Sequence, residues 1–279
     1  MFKTTETRKA EQWRTKSGAT EIARALADET PIGILYNGKP HVVMMATPSD
    51  VADLAIGFTV TERIAGYDQI EEVRVEERAE GINADVILTE AARREVVRAR
   101  VRTLEGRSSC GLCGVQRLKS AVRPLSEVGE GFTVTRAAVQ RAIEQLDSLQ
   151  DLGQATRATH AAAWADADGE ILLAREDVGR HNALDKLVGA AARAGLDPAH
   201  AFAVITSRCS YEMVEKAAMA GFSVLAAVSA PTALAIRKAE EAGLTLVALA
   251  RADGHTVFTR PDRLKERRGR EAGREKAKV

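Results

Sequence analysis

Cysteine is scarce in this chain, and its scarcity excludes one class of protein at once. Only three of the 279 residues are cysteines, at positions 110, 113 and 209. An odd and low number does not suit the disulfide framework of a small secreted protein. In a reducing compartment, a close pair such as Cys110 and Cys113 instead indicates redox chemistry, metal binding or sulfur handling.

Long apolar runs and an excess of charge are also missing. No apolar stretch approaches the roughly 20 residues of a membrane-spanning helix, and the first residues are too polar for a secretory signal. We therefore expect a cytoplasmic protein with no membrane partner. The formal net charge is only +1, which gives no reason to expect nucleic acid as a partner. Because basic residues are concentrated at both ends, residues 1–28 are predicted to be a mobile N-terminal segment and residues 264–279 a basic disordered tail.

Aromatic residues make up only 4% of the chain, whereas apolar residues make up 45%. The core must therefore be built from small and branched aliphatic side chains, which suits alternating strands and helices. Residues 29–134 predict a smaller α+β domain with a hairpin around Asn37-Gly38, a helix after Asp50, two further strands and a basic helix. Residues 135–263 predict a larger α/β domain, in which a three-layer mixed sheet carries helices on both faces.

Cys110 and Cys113 lie in a glycine-rich loop that ends the smaller domain. Cysteine can carry sulfur as a persulfide, and its thiolate is the reactive form. The spacing alone leaves half a zinc site, a dithiol redox pair and a carrier loop as alternatives. A structural zinc site usually needs four ligands, and the sequence has no second C-x-x-C pair. A zinc deaminase needs H-x-E, whereas His160 is followed by two alanines.

Polar residues follow three predicted strands at the points where these strands end. Residues 175–186 join the first of these strands to a helix, residues 206–212 follow the second, and residues 229–232 follow the third. Carboxyl ends of strands and helix N-termini form anion sites in α/β proteins. The candidate binding residues here are Arg180, His181, Ser207 and Arg208. For any one of them, helix capping or a surface salt bridge is an equally good explanation.

Three further features of the larger domain are weaker signals. Glu176 or Asp177 is a candidate acceptor for a purine amino group or a ribose hydroxyl. Cys209 is expected to fill a buried space rather than to act as a nucleophile. Residues 258–263 offer an aromatic ring that can stack on a base and arginines that can hold phosphates, but alone they would pass as an ordinary strand end.

Several runs, taken in order, resemble the formate dehydrogenase accessory sulfurtransferase family, FdhD. The first is the thiol loop, Ser109-Cys110-Gly111-Leu112-Cys113-Gly114. The others are residues 176–186, 207–216 and 229–232. The resemblance covers about residues 30–263.

The resemblance implies a sulfurtransferase that takes persulfide sulfur from a cysteine desulfurase. The recipient is the molybdenum bis(molybdopterin guanine dinucleotide) cofactor, on which formate dehydrogenase depends. Cys110 matches the cysteine that bears the persulfide, and Cys113 matches the second cysteine of the motif. A homodimer is also implied, as is a larger domain similar to cytidine deaminase but without its zinc and without any structural metal. The segment that matches the family's cofactor-binding stretch consists of Phe258, Thr259, Arg260, Pro261, Asp262 and Arg263.

The chain departs from the family at two turns. Glu62-Arg63 stands where the family usually has Glu-Gly, and Arg157 stands where it often has glycine. Neither position touches the thiol loop, so the implied function is kept. Two alternatives remain: a chaperone that binds the cofactor without sulfur chemistry, and a zinc-dependent hydrolase, which the alanines after His160 make a poor fit.

Overall fold

The chain begins with a two-stranded hairpin that the sequence does not predict. A computed structural model describes residues 2–102, 124–125, 127–251 and 253–266, without the side chains of residues 97–102. Strands β1 (Thr5–Arg14) and β2 (Gly18–Ala27) pair antiparallel along their whole length. Regular structure thus replaces the irregular tail expected over residues 1–28. Most side chains of both strands are exposed, and without apolar alternation no strand signal is present in the sequence.

The smaller domain is a four-stranded sheet covered by a helix. Its strands are β3 (Thr30–Tyr36), β4 (Lys39–Ala46), β5 (Ile70–Arg78) and β6 (Gly81–Leu88), and its helices are α1 (Val51–Thr61) and α2 (Glu90–Arg102). The strand order is β4-β3-β6-β5. Alternate residues of β3, Ile32 and Ile34, pack against Leu54 and Phe58 of α1 in one buried cluster, as the period of a half-buried strand requires.

The remaining elements belong to the larger half of the chain. They are, in order, β7 (Val134–Thr135), α3 (Arg136–Ser148), α4 (Asp151–Thr156), β8 (His160–Asp166), β9 (Ile171–Asp177), α5 (Arg180–Arg193), β10 (Ala201–Ile205), α6 (Tyr211–Met219), β11 (Val224–Ala227), α7 (Ala233–Glu241), β12 (Thr245–Arg251), β13 (Gly254–Val257) and β14 (Leu264–Lys265). The tail predicted over residues 264–279 begins with β14, which pairs with β7, and residues 267–279 lie outside the described part.

Six strands form the central sheet in the order β13-β12-β11-β10-β8-β9. Strands β10, β11 and β12 are parallel to one another, whereas β8 runs antiparallel to both β10 and β9. Strand β13 runs antiparallel to β12. The carboxyl ends of β9, β10 and β11 therefore share one edge of the sheet with the beginning of β8.

Both faces of the central sheet are covered by helices, as predicted. On one face, Leu184 of α5 and Met213 of α6 pack with Trp164 and Ile205. On the other face, Val139 and other residues of α3 pack with strand residues whose side chains point away from α5 and α6, such as Phe202 and Val204. The mixed α/β class is confirmed, and the likeness to cytidine deaminase stays a prediction.

Helices α1 and α5 cross at very close range and join the smaller domain to the larger one. A Cβ atom added to Gly57 would lie 1.7 Å from the carbonyl oxygen of Asp185, and one added to Gly189 would lie 1.9 Å from the carbonyl oxygen of Asp53. Only glycine lets two helix backbones approach so closely. Among the described residues, no helix combines the length and apolarity that crossing a membrane requires.

Candidate functional site

Four of the candidate binding residues meet at the carboxyl edge of the central sheet. The main-chain nitrogen of Thr206, just after β10, donates to the carbonyl of Ala161 at the start of β8 (3.0 Å). His160 is paired with Asp177 at the end of β9. This register brings together the residues that we call the carboxyl-end cluster: His160, Arg180, His181, Ser207, Arg208 and Glu212.

Arg180 and His181 form the first turn of α5. The residue before this helix is Gly179, which has no side chain to cap the free N–H groups of the first turn. His181 is only 8% exposed, and its Nε2 lies 3.7 Å from Oε2 of Glu212. Within the described residues, neither Nε2 of His181 nor the buried Nε of Arg180 has a hydrogen-bond partner. Both nitrogen atoms are therefore buried and unsatisfied in the part of the chain that the structure describes.

Electrostatics give the members of the cluster different protonation states. Burial, followed by the positive charges of Arg180, His181 and Arg208, lowers the pKa of His160, so this imidazole is neutral at physiological pH. Burial alone would raise the pKa of Glu212, but the facing imidazole of His181 and the hydroxyl of Ser210 outweigh it and lower that pKa to about 2. Glu212 is therefore ionised at neutral pH.

Two acidic residues suggested as ligand acceptors are instead part of the framework. Asp177 is fully buried; it lies 2.7 Å from Nζ of Lys186 and accepts from the main-chain nitrogens of Thr47 and Gly179. Glu176 accepts from the first turn of α4, at the nitrogens of residues 152 and 153. Both carboxylates are occupied, so a purine or a ribose would have to displace bonds that hold the fold together.

The loop after β10 supplies one buried and one exposed candidate. Ser207 is buried, and its hydroxyl donates to the carbonyl of Arg208 (3.1 Å), whereas the side chain of Arg208 is exposed. Cys209 is fully buried, as expected, and burial raises the pKa of its thiol to about 12. A thiol with this pKa is protonated and unreactive at neutral pH.

The terminal segment, residues 258–263, lies at the opposite end of the sheet. The main-chain nitrogen of Phe258 donates to Leu246 at the start of β12, and Thr259 is held by the main chain of residues 244 and 246. Arg263 is buried and donates to the carbonyls of Gly243 and Gly129. Arg260 pairs with Asp262 (3.1 Å) and, more loosely, with Glu130. The ten predicted binding residues thus form two groups rather than one.

The thiol pair, Cys110 and Cys113, lies outside the described residues, but its downstream flank is described. The carbonyl of Pro124 accepts from Arg63 at the end of α1 (3.2 Å). The next main-chain nitrogen, that of Leu125, donates to Glu241 at the end of α7 (3.1 Å). This flank therefore enters the larger domain at the same end of the sheet as the terminal segment.

Sequence reasoning did not name His160 or Glu212 as binding residues. A signal for His160 was available, because β8 pairs antiparallel with its neighbours and must therefore begin at the edge where they end. Glu212 lies in the first turn of α6, where acidic residues are common because they interact favourably with the helix dipole. Its position in the sequence therefore gives no sign of a binding role. Among the described residues, no group of three His, Cys, Asp or Glu side chains has a geometry suited to a metal ion.

Comparison with known proteins gives consistent matches. The model of the FdhD/NarQ family matches residues 27–265. The sulfur carrier protein FdhD of Bordetella bronchiseptica is 47% identical over 241 residues, which are 86% of this chain and 87% of the relative. That of Xanthomonas euvesicatoria is 46% identical over 240 residues, 86% and 85% of the two chains. The fold is similar to a crystal structure described as a formate dehydrogenase accessory protein from Desulfotalea psychrophila, with a TM-score of 0.73, 22% identity and coverage of 94% of this chain and 100% of that one.

Proposed function

Since this chain belongs to the FdhD/NarQ family, we propose that it is a sulfurtransferase that delivers persulfide sulfur to a molybdenum cofactor. The sulfur donor is a cysteine desulfurase, the recipient is molybdenum bis(molybdopterin guanine dinucleotide), and the client is formate dehydrogenase. The relatives that carry the name sulfur carrier protein FdhD support the sulfur chemistry, because they align with 86% of this chain. A homodimer in the cytoplasm is part of the same proposal.

The observation that carries the cofactor part of the proposal is a pair of buried, unsatisfied nitrogen atoms in the carboxyl-end cluster. Arg180 and His181 bury nitrogen atoms that have no partner among the described residues. An unsatisfied buried donor costs about 1–3 kcal/mol, so a fold keeps such groups where a ligand satisfies them. Phosphate oxygens of a guanine dinucleotide are acceptors of the required charge.

The sulfur step proposed for Cys110 needs no external oxidant or reductant. Its thiolate attacks the outer sulfur of the desulfurase persulfide, the S–S bond of the donor breaks, and the desulfurase leaves as a thiolate. Cys110 then carries the sulfur as Cys110–S–SH, with Cys113 proposed as the second thiol that relays or resolves it. Cys209 is excluded from this step, because its thiol is buried and its pKa is raised to about 12.

Cofactor contacts are proposed at both ends of the central sheet. Arg180, His181, Ser207 and Arg208 contribute at the carboxyl edge. The terminal segment contributes at the other end through Phe258, Thr259, Arg260, Pro261, Asp262 and Arg263. Within that segment, Arg260 is the better phosphate ligand, because its ion pair with Asp262 is exposed and weak.

The test is intact-protein mass spectrometry after incubation with a cysteine desulfurase and cysteine. We expect one added sulfur on the wild type and none on Cys110→Ala, with Cys209→Ala as the matched control that still loads. Absence of added sulfur on the wild type, or equal loading of Cys110→Ala, would rule out the carrier role.

A non-catalytic chaperone is the second candidate, and the carboxyl-end cluster favours it equally, since anion binding needs no thiol. Maturation of formate dehydrogenase separates the two. A chaperone would support maturation with Cys110→Ala and fail with Arg180→Ala, whereas a sulfur carrier would fail with Cys110→Ala.

A further inference from the structure

Thr47 joins the two domains at the start of α5. It lies in the short connection between β4 and α1, is fully buried, and directs all three of its polar groups at the larger domain. Its main-chain nitrogen donates to Oδ2 of Asp177 (3.0 Å), and its hydroxyl accepts from the main-chain nitrogen of Val178 (3.2 Å). Its carbonyl accepts from Nζ of Lys186 (2.9 Å). A residue of the smaller domain therefore holds the turn that leads into α5.

Asp177 is the centre of this hydrogen-bond network. Its Oδ2 lies 2.7 Å from Nζ of Lys186, and its Oδ1 accepts from the main-chain nitrogen of Gly179 (2.7 Å) and from Nδ2 of Asn182 (3.0 Å). The same nitrogen of Asn182 also donates to the carbonyl of Met45 (2.9 Å), close to the end of β4. With the bond from the smaller domain, each oxygen of this buried carboxylate has two donors. Removal of any donor would leave a buried charge less well satisfied.

We propose that Thr47 is a positioning residue for cofactor binding. Through Asp177 it fixes the turn before α5, and this turn sets the direction in which Arg180 and His181 leave the main chain. The inference rests on the proposed function, which gives these two residues a cofactor contact, and it goes further by assigning the smaller domain a part in that contact. The smaller domain, which the sequence predicts to end in the thiol loop, then also orients cofactor-binding residues of the larger one.

The start of α5 depends on this network because it has no cap of its own. Helices α3 and α7 begin after Thr135 and Thr232, whose side chains accept a hydrogen bond from the first turn. The Ncap residue of α5 is Gly179, which has no side chain. A Cβ atom added to Gly179 would lie 2.9 Å from Nδ2 of Asn182, so a capping side chain would displace a member of the network. The smaller domain supplies the restraint that a capping residue supplies elsewhere.

The turn is short enough for a small rotation to matter. Only Val178 and Gly179 separate the last residue of β9 from the first residue of α5. Binding residues must be held within about 0.5 Å of their productive geometry by neighbouring packing and hydrogen bonds. Nε of Arg180 and Nε2 of His181 have no hydrogen-bond partner among the described residues, so these atoms supply no such restraint. The direction of both side chains therefore depends on how firmly the main chain of the turn is held.

The test is calorimetric titration of the full-length protein with GDP, which stands for a guanine nucleotide arm of the cofactor. Thr47→Val keeps the shape of the side chain and removes the hydroxyl to which Val178 donates, and its dissociation constant for GDP should rise about tenfold. Thr47→Ser restores the hydroxyl and should bind GDP within about twofold of the wild type. If Thr47→Val fails to fold, Asn182→Ala tests the same network with the same expectation, because it removes the bonds to Met45 and Asp177.

Thr61→Val is the matched control. The hydroxyl of Thr61 donates to Asp185 (2.7 Å) and also joins α1 to α5 in a buried environment, but it meets α5 beyond the first turn. Thermal unfolding should show that Thr61→Val lowers the melting temperature at least as much as Thr47→Val, whereas its affinity for GDP should equal that of the wild type. Hydrogen exchange of the Val178 amide should be faster in Thr47→Val alone. A purely structural role for Thr47 would not separate affinity from melting temperature in this way.

Four outcomes would overturn the inference while leaving the proposed function in place. They are wild-type affinity for GDP in Thr47→Val, an equal loss of affinity in Thr61→Val, an equal loss in Thr47→Ser, and unchanged hydrogen exchange in Thr47→Val. A wild-type protein that binds no GDP would overturn the cofactor part of the proposed function, and the inference with it. Sulfur loading of Cys110, measured by mass spectrometry, should be the same in Thr47→Val and in the wild type, because Thr47 acts on the recipient side of the transfer.

Discussion

Lys216 places its ammonium nitrogen 2.9 Å from each carboxylate oxygen of Asp185, in the buried space between α5 and α6. The same nitrogen donates to the hydroxyl of Thr61 (2.9 Å) and lies 3.1 Å from Glu62, at the end of α1. Burial favours the neutral amine, but Asp185 and Glu62 outweigh this effect and raise the pKa of Lys216. One buried cation therefore ties the smaller domain to two helices of the larger one.

Replacing Lys216 with Met should lower the free energy of unfolding by about 3–5 kcal/mol, because it leaves Asp185 buried without a counter-ion. Urea unfolding at neutral pH measures the loss. In the double variant Lys216→Met/Asp185→Leu, most of the loss should disappear, since an apolar pair replaces the ionic one. Arg78→Met is the control, because the side chains of Arg78 and its partner Glu76 are 55% and 60% exposed, and a loss below about 1 kcal/mol is expected. Equal losses at positions 216 and 78 would show that burial does not set the strength of the Lys216 ion pair.

Gly57→Ala and Gly189→Ala should destabilise the protein although alanine is the better helix former. In an open helix, this change stabilises by about 1 kcal/mol. Here the added Cβ would meet a main-chain oxygen of the facing helix at 1.7 or 1.9 Å, and the helices must move apart at a net cost of about 3 kcal/mol. Gly129→Ala is the control, since no atom lies within 4 Å of its added Cβ. Equal melting temperatures for the three variants in thermal unfolding would refute the close-contact explanation.

The sequence predicts the larger half of the fold well, because its local signals agree with the tertiary structure. Alternating buried strands and helices are bounded by glycine, proline and polar caps, so the helix expected to follow the strand end within residues 175–186 is found at Arg180–Arg193. The hairpin of β1 and β2 is missed because its strands are exposed on both faces. Helix α4 is missed because its six residues are too few to show the repeating spacing of apolar side chains that marks a helix.

The candidate site is only half predictable for a topological reason. The sequence predicts that Arg180 and Arg208 lie near one another, because parallel strands bring their carboxyl ends to one edge. The family resemblance assigns residues 258–263 to the same ligand, but the turn at Asp253-Gly254 reverses the chain direction and carries that segment to the opposite end. The unsatisfied atoms of Arg180 and His181 depend on packing, so no pattern of residue types reveals them.

Arg157→Gly should raise the free energy of unfolding by up to about 1 kcal/mol. Arg157 ends α4 with φ 58° and ψ 27°, which is the left-handed conformation. This conformation is unfavourable for any residue that has a Cβ atom, and it suits glycine. Arg63 is also left-handed, with φ 59°. This backbone conformation explains why the family resemblance leads one to expect glycine at positions 63 and 157. Arg63→Gly should gain less, because it also loses the hydrogen bond to Pro124. Urea unfolding of these variants measures the change. Arg157→Ala is the control, because it keeps the Cβ atom and should not raise the free energy of unfolding.

Glu212 should contribute stability that depends on pH in a defined direction. Its pKa is lowered to about 2 in the folded protein, from the ordinary glutamate value of 4.5. A carboxylate with a depressed pKa stabilises the fold fully above its unfolded pKa and loses this effect as pH falls through the folded value. The difference in unfolding free energy between wild type and Glu212→Gln should therefore be constant above about pH 5 and shrink toward pH 2. If this difference in unfolding free energy grew as the pH fell, the pKa of Glu212 would have to be raised in the folded protein rather than lowered.

Cys209 should resist alkylation in the native protein and react only after unfolding. Its thiol is fully buried, and burial raises its pKa to about 12, so at pH 8 only about one molecule in ten thousand carries the reactive thiolate. The double variant Cys110→Ser/Cys113→Ser leaves Cys209 as the sole cysteine. Iodoacetamide should add no mass to this variant under native conditions and one carbamidomethyl group in concentrated urea. Rapid native labelling would mean that the loop after β10 opens to solvent, and Cys209 would then have to be counted among the thiols able to accept sulfur.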